Sequence, residues 1–428
     1  MNKAPKQAPP KNSLVVPVVV IAVLIIVAAL GYKGYLFSRQ EPLPAPLPAA
    51  DASRPVPAPR PAARTANPPE DAGASAGSTP APASAATLAS RPSAPPEAAP
   101  ADPKDLISGL AALDGKQPIT PEQAQKWKES LQQLIRQGAA SVPAIQQFLA
   151  QNQDANYAGV SGADALGYNS LRSAMLDALA QIGGPESTQA MLQILQSSVF
   201  PTDIATLAKT LDAQGSGQYQ QAILDAARQQ LNLAAVDGLG GANVLPLFQV
   251  LSGEAANGAN VSSDLTQFAE KWPFYSSIAL ASEPDGAGIP SLVQIAQGTV
   301  PGNQAAAAQA LAELAPQNPQ AFSSLLDLAK SGELNDLILS QMAPFLGGRE
   351  YVLGPPQDPT AAGYQTIHMA GGNQDFSSYD SSGTLTQSQI TQRLSIIDQL
   401  LQAIPSTDPA AQDALQTQRN NLAAIQKP

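Results

Sequence analysis

His368 is the only histidine in the chain, and there is no cysteine. Without a thiol there is no disulfide, no zinc–thiolate or iron–sulfur site and no cysteine nucleophile. His368 sits in Thr366-Ile367-His368-Met369, and a histidine-based triad needs an elbow serine that the helical part of the sequence does not supply. With Asp375 and Asp380 it offers a metal one nitrogen and two carboxylates, but the spacing matches no known site. The simpler reading is a loop histidine with no special role. Acidic pairs stand at Glu283/Asp285 and Glu333/Asp336, each beside a turn or helix start, where carboxylates favour exposed N–H groups. Neither is framed by the aromatics a glycosidase sets around its sugar. No P-loop and no G-x-G-x-x-G is present. The expectation is a non-enzyme with no cofactor and no metal. An envelope hydrolase or carbohydrate-binding domain of unrecognised type is the alternative.

The densest aromatic run is Phe268-Ala269-Glu270-Lys271-Trp272-Pro273-Phe274-Tyr275. Trp272 reads either as an anchor for a partner or as part of a helix break packed into the core.

The elements around these residues divide the chain into unlike parts. From Leu14 to Leu30 seventeen residues carry no charge and are nearly all Val, Ile, Leu or Ala. Residues 13–32 give about 20 residues, roughly 30 Å of helix, the length needed to cross a hydrocarbon core. Lys3, Lys6 and Lys11 precede the span and only Lys33 and Arg39 follow closely, which favours a cytoplasmic N-terminus (residues 1–12) and an exported remainder. The alternative is a cleaved signal peptide ending near Val27-Ala28-Ala29. The expected location is a bacterial inner membrane, crossed once, with the C-terminal bulk in the periplasm.

Residues 33–104 read as a disordered Pro/Ala-rich linker. Seventeen prolines fall between residues 40 and 104, and runs such as Pro42-Leu43-Pro44-Ala45-Pro46 favour polyproline II over helix or sheet. Such a spacer reaches on the order of 200 Å when extended. Residues 1–104 hold ten Lys/Arg and six Asp/Glu, a formal +4, whereas residues 105–428 hold 13 and 28, a formal −15. An acidic folded part repels phosphate backbones, so nucleic acid is not an expected partner.

Thr120-Pro121-Glu122-Gln123 predicts an N-cap, a proline at N1 and a capping-box glutamine. Trp127, Leu131, Leu134 and Ile135 follow on one helical face, and Gly138 ends the run. Similar helices, broken by Gly, Pro and Asn, continue to about Phe345. Four segments align without gaps: Val142–Leu149, Thr188–Leu195, Val244–Leu251 and Ile289–Ala296. Gln147, Gln193, Gln249 and Gln294 share one column, at offsets of 46, 56 and 45 residues. A second family pairs Asp177-Ala178-Leu179-Ala180-Gln181-Ile182-Gly183 with Gln309-Ala310-Leu311-Ala312-Glu313-Leu314-Ala315.

Leu171–Pro185 resembles the first helix and turn of a HEAT-type repeat, and Ser141–Leu149 resembles the second helix. The likeness covers about residues 120–346 and is degenerate, because Gln, Ser or Gly stand where the family usually has Asp and Arg or Lys. It implies an all-α fold, a HEAT/armadillo-like helical-repeat solenoid over residues 105–346. Short helix pairs that bury too little surface alone must then stack on their neighbours. An irregular all-α domain is the other reading. By analogy the solenoid offers a concave face to a protein or peptide of the cell envelope. Gln147, Gln193, Gln249, Gln294 and Trp272 are the candidate partner-binding residues.

Residues 347–384 are rich in Gly, Pro, Ser, Asp and Tyr and read as an irregular segment, with Tyr351, Tyr364, Phe376 and Tyr379 as anchors where it drapes along the helices. Residues 385–428 read as a helical hairpin. Ile390, Leu394, Ile397, Leu401 and Ile404 form an a/d seam of about two heptads. Either it caps the last repeat, or it is a short coiled-coil helix for self-association, which would make the protein a homo-oligomeric spacer.

Overall fold

The computed structural model describes residues 101–426 apart from 216, 355–362, 369–374 and 405–408. The apolar span 13–32 and all but the end of the linker lie outside these residues. Among the described residues no helix is long and apolar enough to cross a membrane.

The described chain is mostly helical. The helices are α1 (Pro103–Ala111), α2 (Pro121–Arg136), α3 (Val142–Ala150), α4 (Leu171–Ile182), α5 (Gly184–Ser197) and α6 (Pro201–Gln214). There follow α7 (Gln220–Ala235), α8 (Leu245–Ala256), α9 (Ser262–Gln267), α10 (Pro273–Ala281) and α11 (Ile289–Ala296). Next come α12 (Gln304–Leu314), α13 (Pro319–Ser331) and α14 (Asp336–Leu346), and after a small sheet α15 (Gln387–Ala403) and α16 (Pro409–Ile425).

Local signals set the boundaries. The Thr120 side chain accepts the Gln123 N–H while Gln123 Oε1 accepts the Thr120 N–H at 2.9 Å, so the predicted capping box starts α2. α1 begins two residues before Asp105, because Asp102 caps it through the Lys104 N–H and Pro103 occupies N1. Trp127, Leu131 and Leu134 are buried as the periodicity predicts. Gly162 must lack a side chain: a Cβ there would lie 2.1 Å from the Ile119 carbonyl oxygen.

The even-numbered helices pack on one another in an unbroken series from α2 to α16. The odd-numbered ones do so from α1 to α7 and again from α9 to α15. Most consecutive helices also touch, so a continuous Leu/Ala core runs between the two series. Each fully buried leucine in it, such as Leu179, Leu251 or Leu311, contributes about 1.5–3 kcal/mol. The C-terminal hairpin continues both series, α15 against α13 and α16 against α14. Of its seam, Ile390, Ile397 and Ile404 are buried and Leu394 and Leu401 half-buried against the core, and Leu400 of α15 and Ala411, Leu415 and Leu422 of α16 are buried beside it.

The described part of residues 347–384 is not irregular. It contains β1 (Arg349–Val352), β2 (Tyr364–His368) and β3 (Asp375–Asp380), an antiparallel sheet with β3 at the centre. Tyr351 pairs with Ser378, and Thr366 with Ser377. The reading missed the sheet because its strands are only four to six residues long and the central one carries Ser377 and Ser378 inward. The β1–β3 pairings, Arg349 with Asp380 to Val352 with Ser377, also join residues far apart in sequence, beyond any local pattern. β1 packs on α12 and α14, so the sheet lies against the even series.

Candidate functional site

The four glutamines of the aligned column are exposed, but they do not share one surface. Gln147 (α3), Gln193 (α5) and Gln294 (α11) belong to the odd series, and Gln249 (α8) to the even one. The alignment rested on local sequence, which α8 shares with α3 and α11: an apolar start and a proline in the first turn. Two helices separate α5 from α8, and two more separate α8 from α11, so the series changes twice along the column. The Gln146 amide donates to Gln193 and the Gln249 amide to the Leu353 carbonyl, 3.4 Å away. Gln294 lines a shallow cleft with Ser262, Thr266 and Gln267.

Trp272 is buried, 6 % exposed, between Phe248 and Phe268 with ring centroids 5.9 Å from each. It is therefore part of the helix break between α9 and α10 and belongs to the core. The acidic pairs do not converge either. Glu283 is buried and accepts the Ser262 hydroxyl at 2.5 Å, whereas Asp285 stands exposed on a left-handed turn residue; Glu333 and Asp336 are both exposed. The backbone of His368 pairs with Asp375 at the end of β2. Among the described residues no group of three or more acidic or histidine side chains is placed to hold a metal. The sequence does contain one G-x-S-x-G, Gly73-Ala74-Ser75-Ala76-Gly77. That stretch lies outside the described residues.

What the structure brings together is the seat of the sheet on α8, α10, α12 and α14. Phe274 of α10 stacks on Phe376 of β3 at 5.0 Å between centroids, and Tyr351 of β1 meets Phe274, Phe345 and Phe376 edge to face. The Tyr275 hydroxyl accepts the Asp375 N–H at 2.7 Å, tying α10 to the start of β3. Two of the four proposed anchors, Tyr351 and Phe376, thus pack onto the helices, while Tyr364 and Tyr379 stack on each other within the sheet.

Charged groups lie beneath this seat. Glu313 of α12 accepts the Tyr351 N–H at 3.1 Å. Burial pushes its carboxyl up to about 8, Glu350 adds to the rise, and the Tyr351 N–H and Arg393 oppose it. Arg393 of α15, 4 % exposed, donates to the Phe345 and Leu346 carbonyls at 3.1 and 3.0 Å, the open C-terminal end of α14. The sequence reading passed over both. Glu313 stood inside an aligned repeat and Arg393 beside a seam leucine, and nothing local marks either as buried.

Two further buried pairs escaped notice. Arg172 donates through Nε to Asp203 at 2.6 Å and through Nη1 to the Leu149 carbonyl at 2.8 Å, joining α3, α4 and α6, and its guanidinium lies 4.5 Å from the Phe200 ring centre. Glu254 of α8, 1 % exposed, lies beside Asp212 of α6. Burial first and Asp212 second push the Glu254 carboxyl up to about 7. Arg172 thus fastens neighbouring helices, whereas Glu254 and Asp212 set two acidic groups side by side. No known protein family matches the chain, and no curated protein matches it as a relative.

Proposed function

We propose that this protein is a membrane-tethered, non-catalytic scaffold or adaptor whose extracytoplasmic helices bind another protein or peptide of the cell envelope. In this reading residues 13–32 anchor the chain in a bacterial inner membrane, residues 33–104 are the spacer, and residues 105–428 form a degenerate HEAT-like solenoid. The observation that carries it is the serial packing of helices on their second neighbours, unbroken along the even series. Such stacking extends a surface without closing a central pocket, the arrangement by which helical repeats hold extended partners. The buried hairpin seam supports a cap at the end of the stack over a self-associating helix.

Mild crosslinking in cells followed by pull-down of the full chain should recover one discrete envelope protein, and exposed substitutions along the odd series should abolish its recovery. Absence of any specific partner after crosslinking, with a turnover detected on envelope polysaccharide, would replace this reading by the hydrolase alternative.

A further inference from the structure

A cleft of about 340 Å³ opens where β1 crosses α8, α10 and α12. Its walls are mainly apolar, from Ile278, Ala281, Val352 and Leu353. The polar groups that face it have a common character. The Gln249 amide donates to the Leu353 carbonyl, and the Ser282 hydroxyl gives its proton to the Ala279 carbonyl at 2.8 Å. That leaves Gln249 Oε1 and Ser282 Oγ as acceptors. Glu313 adds a carboxyl whose only described partner is the Tyr351 N–H. Ser252 Oγ lies buried with no hydrogen-bond partner among the described residues. Among the described residues Glu313 is the only charged one in the lining.

We infer that this cleft binds a primary ammonium carried on a short aliphatic chain. An ammonium has three donors and no acceptor, which matches a lining of oxygen acceptors around a single carboxyl. The apolar walls take up the methylenes, and the volume is at the lower end of small-ligand sites. Ser252 also lines the cleft, and turning its unpartnered hydroxyl toward the ammonium gives that oxygen a donor, offsetting the cost of its burial. A guanidinium would bring five donors in a rigid fork, of which one carboxyl takes only two. The inference does not rest on the scaffold reading, because the ammonium has two sources: a free aliphatic amine, or a lysine side chain of a bound protein.

Calorimetric titration of the full chain with n-pentylammonium, and with n-pentanol as its neutral counterpart, tests the site. The ammonium should bind with a dissociation constant of about 1 mM, reasonable for so few heavy atoms, and at least about tenfold more tightly than the alcohol. Near neutral pH the Glu313 carboxyl holds its proton, so binding of the cation should release close to one proton per ligand. Glu350 and Tyr351 of β1 and Arg393 of α15 are the other titratable groups around it, and α8 and α10 add no charge to the lining. Comparison of buffers with different ionisation enthalpies measures that release on the unaltered protein. Glu313→Gln should abolish the preference for the ammonium. Ser252→Ala, which removes only an unpartnered hydroxyl, should fold normally and weaken the ammonium about threefold while leaving the alcohol unchanged. Tighter binding of acetyl-Gly-Lys-Gly-amide than of n-pentylammonium identifies the lysine of a partner, and the reverse identifies a free amine. Equal binding of amine and alcohol, or no binding of the amine up to about 20 mM, overturns the site.

Discussion

Three ionisable residues that share no motif are held in places where their charge is costly. Glu254 and Glu313 both have carboxyls raised above the usual 4.5, to about 7 and about 8. The folded chain therefore binds their protons more tightly than the unfolded chain does. Their contribution to stability is fully present below about pH 4.5 and is lost as pH rises through about 7 for Glu254 and about 8 for Glu313. Thermal melts between pH 5 and 8.5 should show a falling midpoint. Asp212→Asn, which removes the neighbouring charge, should flatten the Glu254 part and raise the midpoint at pH 8 by about 2 °C per kcal/mol recovered. A melting profile that is flat, or that rises with pH, would contradict the raised carboxyls. Arg172 behaves differently, because its pairing with Asp203 leaves neither charge alone. Arg172→Ala should cost about 3–5 kcal/mol in urea unfolding, chiefly because Asp203 is left buried without a counter-charge, with only the Ser198 hydroxyl to donate to it.

At the scale of elements, helix ends and the docked sheet make separable contributions. Thr120→Ala removes the side-chain acceptor for the Gln123 N–H and should lower stability by about 1 kcal/mol. Phe376 is almost fully buried between Phe274 and Tyr351, and it joins the central strand to α10. Phe376→Ala should cost about 3–5 kcal/mol locally. Hydrogen exchange should then speed up across 349–352 and 375–380 while α2 to α6 keep their protection. If α2 to α6 lost protection equally, the sheet would be a keystone of the whole domain and not a later addition to the even series. How much of this was legible differs by element. Ten described α-helices begin with proline in the first turn, and the capping box at Thr120 and the run of Trp127, Leu131 and Leu134 stand in the sequence as plain text. The sheet was not legible, because Ser377 and Ser378 become interior only through contact with chain far away.

Across the whole molecule the consequence of serial packing is weak coupling between distant ends. α2 packs on α1 and α4, and α14 packs on α12, α15 and α16. A core substitution near one end, such as Trp127→Ala, should therefore accelerate exchange in α1 to α4 and leave α12 to α14 nearly unchanged. Removing residues 387–425 should do the opposite. It uncovers the face of α14 with Phe345 and Leu346 and frees the carbonyls that Arg393 caps, so exchange should rise from the C-terminal end. A single cooperative transition affecting all helices alike in both variants would show one undivided core instead.

The sequence by itself determined the helices, their starts and stops, the burial of Trp127 and the acidic charge of the folded part, because caps, prolines and a 3.6-residue apolar period act within a few residues. It also suggested that the helices repeat. Only the tertiary structure decided which helices share a side. Gln249 entered the column of Gln147, Gln193 and Gln294 on local likeness and left it once two intervening helices had moved α8 into the other series. The same holds for Glu313, Arg393, Arg172 and Asp203. Burial of a charge depends on what the rest of the chain lays over it, and that information is spread across segments far apart in sequence.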